Sequence, residues 1–252
     1  MGTSYAPLVF ILSWERPLYL WACLDSLRYT TKTPCRFVLL DNASSDPLVG
    51  KIIDSFEARD LFYKVHRRKD NSPHALTEAM DQYQSELGEH FGFIESDVMI
   101  LPSAPSWLEE FQALVTDPQI GMLGSLIDKI DFIDPQWAAH RFPKLSSKQL
   151  EFLTKTNSTE RSLADRYEER MVDVINPPGR LQFFKTEAVL RTGMLPDYRQ
   201  YLAMKELGYR CAIATRVRHR HLSLANGFDY PEYDQETRDA FFRRLVHENR
   251  KK

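Results

Sequence analysis

The sequence predicts a single α/β domain whose mostly parallel sheet is flanked by helices. Short apolar runs alternate with helical patterns through the first hundred residues, and acidic residues fall where several of those runs end. The length of 252 residues fits one compact unit with a short tail.

Leu8 to Ser13 is a continuous apolar run that fits a buried parallel strand, and Trp14-Glu15-Arg16-Pro17 ends it. Pro17 can open a helix, and Leu20, Leu24 and Leu27 recur at helical spacing through Leu18 to Tyr29. Phe37 to Leu40 gives a second strand, closed by the turn-rich Asp41-Asn42-Ala43-Ser44-Ser45-Asp46-Pro47, and Leu48 to Arg59 reads as the next helix. Phe62 to His66 is a third strand. Leu76 to Leu87 is helical in pattern and leads to the strand Phe91 to Ile94, which runs directly into Glu95-Ser96-Asp97. Trp107 to Val115 is a helix and Gly121 to Leu126 a strand. From Asp128 to Pro178 the periodicity degrades, with helical stretches near Ser147 to Thr154 and Ser162 to Met171 and no readable topology. Arg180 to Phe184 is then a strand, Tyr198 to Leu207 a helix closed by Gly208, and Cys211 to Val217 a strand. Thr237 to Lys252 reads as a charged amphipathic tail helix.

Composition excludes several classes. Lys and Arg number 33 against 35 Asp and Glu, so there is no global positive field to gather a nucleic-acid backbone. Cys23, Cys35 and Cys211 are odd in number and widely spaced, which argues against a disulfide framework or a zinc knuckle. Met1 to Ser13 lacks the signature of a secretory leader, and no run approaches the ~18 apolar residues that span a bilayer. A cytoplasmic protein without a transmembrane segment is the expectation.

Glu95-Ser96-Asp97 is the strongest local chemical signal. Two carboxylates separated by one residue at the end of an apolar strand can both reach a hard cation that bridges phosphates, and the same triplet can also be a cap or a solvated turn. Asp41 to Asp46 presents carboxylate, amide and hydroxyl groups where an Asp can bind a ribose or a base edge, and the stretch is also an ordinary turn. His66-Arg67-Arg68-Lys69 reads as a solvated strand end.

These segments together resemble a family 2 glycosyltransferase of the GT-A, Rossmann-like fold. Ile11 to Pro17 with Leu24-Asp25-Ser26-Leu27 is similar to that family's opening strand, loop and helix. Val38 to Asp46 is similar to its nucleoside-binding turn, Asn71 with Ala75 to Ala79 to the stretch before its central helix, and Phe93 to Val98 to its DxD element. The likeness covers residues 8 to 101 well and 180 to 221 more loosely. It implies a transferase domain over 1–236, divided at 126 into a nucleotide-sugar-binding half and an acceptor-binding half, with a tail at 237–252.

The resemblance also implies roles. Ser13, Glu15, Arg16, Asp41 and Asn42 would bind the nucleotide, together with Ser44, Asp46, Asn71 and Ser96. Glu95, Asp97 and His219 would hold Mn2+ or Mg2+, and Arg180 and His221 would face the substrate or its diphosphate. Counting back from Gly208-Tyr209 places Asp197 where the family carries its general base. The sequence departs from the pattern at Leu12, where Pro is usual, at Glu15, where Asn is usual, at Glu95, where Asp is usual, and at Pro196, where an acidic partner of Asp197 is expected.

The implied reaction moves a sugar from a nucleoside diphosphate, UDP favoured, to a hydroxyl on a glycan or small molecule. A single base and in-line attack imply inversion at the anomeric carbon. A sugar-phosphate nucleotidyltransferase is the first rival, against which stands the absence of glycine from Ser13 to Pro17. The second is a catalytically silent sugar-binding or scaffold protein on the same fold.

Overall fold

The computed structural model describes residues 6–132, 134–155, 163, 169–174, 180–195 and 197–222. The tail expected at 237–252 lies outside them. In chain order the strands are β1 (Leu8–Ser13), β2 (Arg36–Asp41), β3 (Phe62–Arg67), β4 (His90–Glu95), β5 (Val98–Ile100), β6 (Ile120–Ile127), β7 (Met171–Asp173), β8 (Leu181–Lys185) and β9 (Arg210–His221). The helices are α1 (Pro17–Thr30), α2 (Pro47–Glu57), α3 (Ala75–Gln82), α4 (Trp107–Leu114), α5 (Pro135–Arg141), α6 (Ser147–Lys155), α7 (Thr186–Thr192) and α8 (Asp197–Glu206).

The nine strands of the described residues join one sheet in the order β3-β2-β1-β4-β8-β6-β9-β5, with β7 paired to β9. The first half is parallel as expected: β1 lies between β2 and β4, and β3 lies outside β2. The second half makes the sheet mixed rather than purely parallel. There β6 and β9 are parallel, but β8 runs against both β4 and β6, and β5 and β7 run against β9. An apolar run carries no mark of strand direction, so the period of the sequence could not reveal this.

Alternate residues of each central strand feed opposite cores, as the two-residue period requires. Val9 and Ile11 pack with Leu20, Leu24, Val49, Phe56 and Trp107 beneath α1, α2 and α4. Leu8 and Phe10 face Leu76, Met80, Val189 and Met204 beneath α3, α7 and α8. Both layers are buried, which is why these strands read as unbroken apolar runs.

The helix boundaries follow local chemistry. Pro17 and Pro47 occupy the first turns of α1 and α2, where a missing N–H costs nothing, and Asp46 caps α2 by accepting from the Leu48 N–H at 2.8 Å. Gly208, at φ +82°, supplies the left-handed residue that ends α8. The helix expected to Leu87 stops at Gln82, and a 3-10 turn at Gln84–Glu86 follows. The helix expected to reach Met171 does not, because Met171 begins β7. Strand β9 continues to His221 rather than ending at Val217, so the two histidines expected after a strand lie within one.

Helix α8 is seated through a glycine. A Cβ on Gly121 of β6 would stand 2.5 Å from the Tyr209 Cβ and 3.0 Å from the Met204 sulfur. Gly121→Ala should therefore lower the unfolding free energy by about 1–3 kcal/mol, the usual cost of overpacking. Urea denaturation monitored by circular dichroism measures this, and an unchanged midpoint would show that α8 can shift without cost.

Candidate functional site

The C-terminal ends of the parallel strands converge in register. Ser13 of β1 pairs with Asp41 of β2, and Leu12 pairs with Glu95 of β4, so three predicted residues stand side by side at one edge of the sheet. Ligands of open α/β sheets bind at that edge. The Asn42 N–H donates to the Ser13 carbonyl at 2.8 Å and the Ser96 N–H to the Leu12 carbonyl at 3.0 Å, which carries the alignment one residue past the strands.

Two loops beyond these ends are stitched together. The Ser44 hydroxyl donates to Asp41 Oδ1 at 2.6 Å and accepts from the Glu15 N–H at 2.8 Å. In return the Glu15 carboxylate accepts from the Ser45 N–H at 2.7 Å, the Ser45 hydroxyl at 2.9 Å and the Asp46 N–H at 3.1 Å. The Ser45 N–H is the largest influence holding the Glu15 carboxyl below its ordinary range, against a smaller opposing effect of burial. Asn42 ties down a third loop: its Nδ2 donates to Asn71 Oδ1 at 2.7 Å and to the Ser72 carbonyl at 3.0 Å, and its Oδ1 accepts from the Ser72 N–H at 3.0 Å. Glu15, Asn42, Ser44, Asp46 and Asn71 are thus gathered, but their side chains brace the loops. Ser13 Oγ is different. It is buried with no hydrogen-bond partner among the described residues.

Past Glu95 the chain turns through Ser96 and Asp97 and enters β5, which pairs with β9. His221 Nε2 lies 3.4 Å from Asp97 Oδ2, and Arg16 Nη1 lies 3.8 Å from the same oxygen. His219 is fully buried, its Nδ1 2.7 Å from the Ser125 hydroxyl and its Nε2 without a hydrogen-bond partner among the described residues. Burial, followed by the neighbouring His221, pushes its pKa down to about 3, so the ring is neutral and able to donate a lone pair. Glu95 turns elsewhere: its Oε2 is 2.5 Å from Arg180 Nη1. Burial raises the Glu95 carboxyl above its ordinary range, with Arg180 opposing and Asp97 adding to the rise.

Among the described residues, no three acidic, histidine or cysteine side chains close into a metal cage. The donors at Asp97 still fit a hard divalent ion of the kind held by one or two protein groups and completed by phosphate oxygens and water. The orphaned His219 nitrogen and the carboxylate between His221 and Arg16 are the observations that favour this.

Glu95 also lines a cavity of about 580 Å³ on the α3 and α8 face. Leu12, Phe93, Met122 and Phe184 form much of its floor, and Arg199 and Gln200 from the first turns of α8 stand at its wall. Asp197 opens α8, so its backbone is two residues from that wall.

Sequence reading missed the acidic turn after β6. Asp131 is buried and accepts from Arg220 Nε at 2.5 Å and from the His221 N–H at 2.6 Å, and Asp128 lies 3.5 Å from Arg218. The available signal was the pair of carboxylates three residues apart in Asp128-Lys129-Ile130-Asp131, opposite the alternating Arg218-His219-Arg220-His221.

Comparisons with known proteins bear on this geometry. The mannosyltransferase PcManGT from Pyrobaculum calidifontis, solved with GDP-Man and Mn2+, superposes with a TM-score of 0.56 at 17% identity, over 97% of this chain and 69% of that one. Glucosyl-3-phosphoglycerate synthase from Mycobacterium tuberculosis, solved with Mn2+, UDP and glucosyl-3-phosphoglycerate, gives 0.52 at 14%, over 96% and 78%. GalNAc-T7, solved with UDP, GalNAc and Mn2+, gives 0.58 at 13%, over 86% of this chain and 43% of that one. At these identities the likeness shows the fold, which is the GT-A fold that the sequence resemblance implied. No curated protein matches the sequence. The sequence model of glycosyl transferase family 2 matches residues 8–175, more than half of the chain. The chain belongs to that family and is a glycosyltransferase.

Proposed function

We propose that the protein transfers a sugar, with inversion, from a nucleoside diphosphate to an acceptor hydroxyl on a glycan or small molecule, assisted by Mn2+ or Mg2+. The observation that carries this reading is the meeting of Asp97 with His221 at the edge where Ser13 and Asp41 also end. The nucleoside lies against Ser13, Asp41 and the loops braced by Glu15, Asn42, Ser44, Asp46 and Asn71, and Ser96 carries the chain from there toward the diphosphate. Uridine is the favoured base, and support for a nucleotide donor comes from the UDP and GDP-Man bound in the structural relatives.

Asp97 and His221, with His219 behind them, would hold the divalent ion, in keeping with the Mn2+ of those relatives. Held there, such an ion would supply positive charge against the negative charge developing on the departing diphosphate. Arg16, near Asp97, adds a cation at the same end. Arg180 pairs with Glu95 at the lining of the cavity, in which the acceptor and the transferred sugar would sit. A hydroxyl is a weak nucleophile near neutral pH, so Asp197 takes its proton as the new bond forms, and the diphosphate leaves from the opposite face. Among the described residues no helix is long and apolar enough to cross a membrane.

A thermal-shift screen of nucleotides and nucleotide sugars, with and without Mn2+, tests the reading directly, because a ligand that binds only the folded state raises the melting temperature. UDP and UDP-sugars should stabilise the protein more with Mn2+ than without it. In Asp97→Ala the added Mn2+ should bring no further shift while the fold is retained. A full Mn2+ increment in that variant would remove Asp97 from the metal site. Asp197→Asn should leave donor and Mn2+ binding near wild type and cut turnover by ~10² to 10⁴, the usual loss when a positioned base is removed. Wild-type turnover in Asp197→Asn would place the base elsewhere.

A further inference from the structure

Strand β9 does not keep one register along β6. Ser125 pairs with Ala214, but the next residue, Leu126, pairs with Arg218, so Thr215, Arg216 and Val217 are taken up in an irregularity. Pairing in the first half of β9 therefore does not dictate which side chains of its second half face which way. A slip of one residue there would put the arginines on the face of the histidines and the histidines on the face of the arginines.

The second half is held by its pairing with β5 and with Leu126 and Ile127 of β6, and the turn after β6 grips it as well. The Asp128 N–H donates to the His219 carbonyl at 2.8 Å, and the Asp128 carboxylate lies 3.5 Å from Arg218 Nη1. Asp131, with a side chain that is 0% exposed, accepts from Arg220 Nε through Oδ1 and from the His221 N–H through Oδ2, at 2.5 and 2.6 Å. One carboxylate thus reads a side chain and the next backbone amide at once. That combination is satisfied in a single register, and a displaced strand would leave a buried charge without its donors.

We propose that Asp131 is a positioning residue that, together with the β5 pairing, holds the register of the end of β9 and so keeps His221 at Asp97. The inference rests on the reading of Asp97 and His221 as holders of the divalent ion. It assigns Asp131 no contact with substrate. The expected signature is a loss of metal affinity out of proportion to any loss of stability.

Mn2+ binding to the full chain in the presence of UDP, followed by electron paramagnetic resonance, tests this in the wild type, Asp131→Asn and Asp97→Ala. Paramagnetic broadening of the His221 ring protons is recorded alongside. Asp131→Asn should fold, bind UDP alone as the wild type does, weaken Mn2+ by ~10- to 100-fold as loss of a group orienting a ligand does, and lose the His221 broadening. Should that variant fail to fold, Arg220→Gln, which keeps the carboxylate, reads the same quantity and should shift Mn2+ affinity in the same direction. Wild-type Mn2+ affinity in the folded Asp131→Asn, with affinity lost in Asp97→Ala, would overturn the inference and leave the metal reading standing. Wild-type affinity in Asp97→Ala would overturn the metal reading itself, and the inference with it.

Discussion

The tight link between β4 and β5 is the constraint on which the rest of the molecule depends. Ser96 and Asp97 alone separate Glu95 from Val98, and so short a segment reaches no more than about 11 Å. Strand β4 lies near the middle of the sheet, whereas β5 is hydrogen-bonded to β9 beyond β8 and β6. The sheet can satisfy both only if the second half of β9 returns across the ends of the central strands. The irregularity at Thr215 to Val217 permits that return, and hydrogen bonds from Leu222 N to the Asp97 carbonyl and from Leu101 N to the Arg218 carbonyl fasten it. Convergence of Asp97 with His221 is a consequence of this closure.

The parallel half was legible because its physics is local. Buried central strands must be apolar on both faces, so β1, β2 and β4 appear as unbroken runs, and the groups that follow them fall at the ligand edge by topology alone. The remainder was less legible for identifiable reasons. Val98-Met99-Ile100 is too short to separate from the end of an acidic turn. Thr186 to Thr192 abuts β8 with no intervening turn residue, so α7 carries no start signal. Arg-His-Arg-His at the end of β9 reads as a polar tail until its alternation is set against Asp128 and Asp131. The pairing of Glu95 with Arg180 depends on a contact across 85 positions that no local pattern announces.

Glu15 illustrates how a departure from a family pattern can be structural. Glu15, Arg16 and Ala43 all adopt positive φ, at 53°, 58° and 65°, a conformation that costs a non-glycine residue of order 1–3 kcal/mol. The three bonds accepted by the Glu15 carboxylate over-determine the two loops and hold them in that shape. A shorter side chain at position 15 would not span to Ser45 and Asp46 in the same way, so Glu at this position accompanies the particular loop geometry found here.

The crossing of β9 over the sheet ends also has a consequence in time. Strands β1, β2 and β3 with α1 and α2 come from the first third of the chain and can pair as soon as they have been synthesised. Asp97, however, waits for a strand encoded more than a hundred residues later before its carboxylate meets an imidazole. A nascent chain can therefore form the edge that ends in Ser13 and Asp41 well before β9 brings His221 to Asp97.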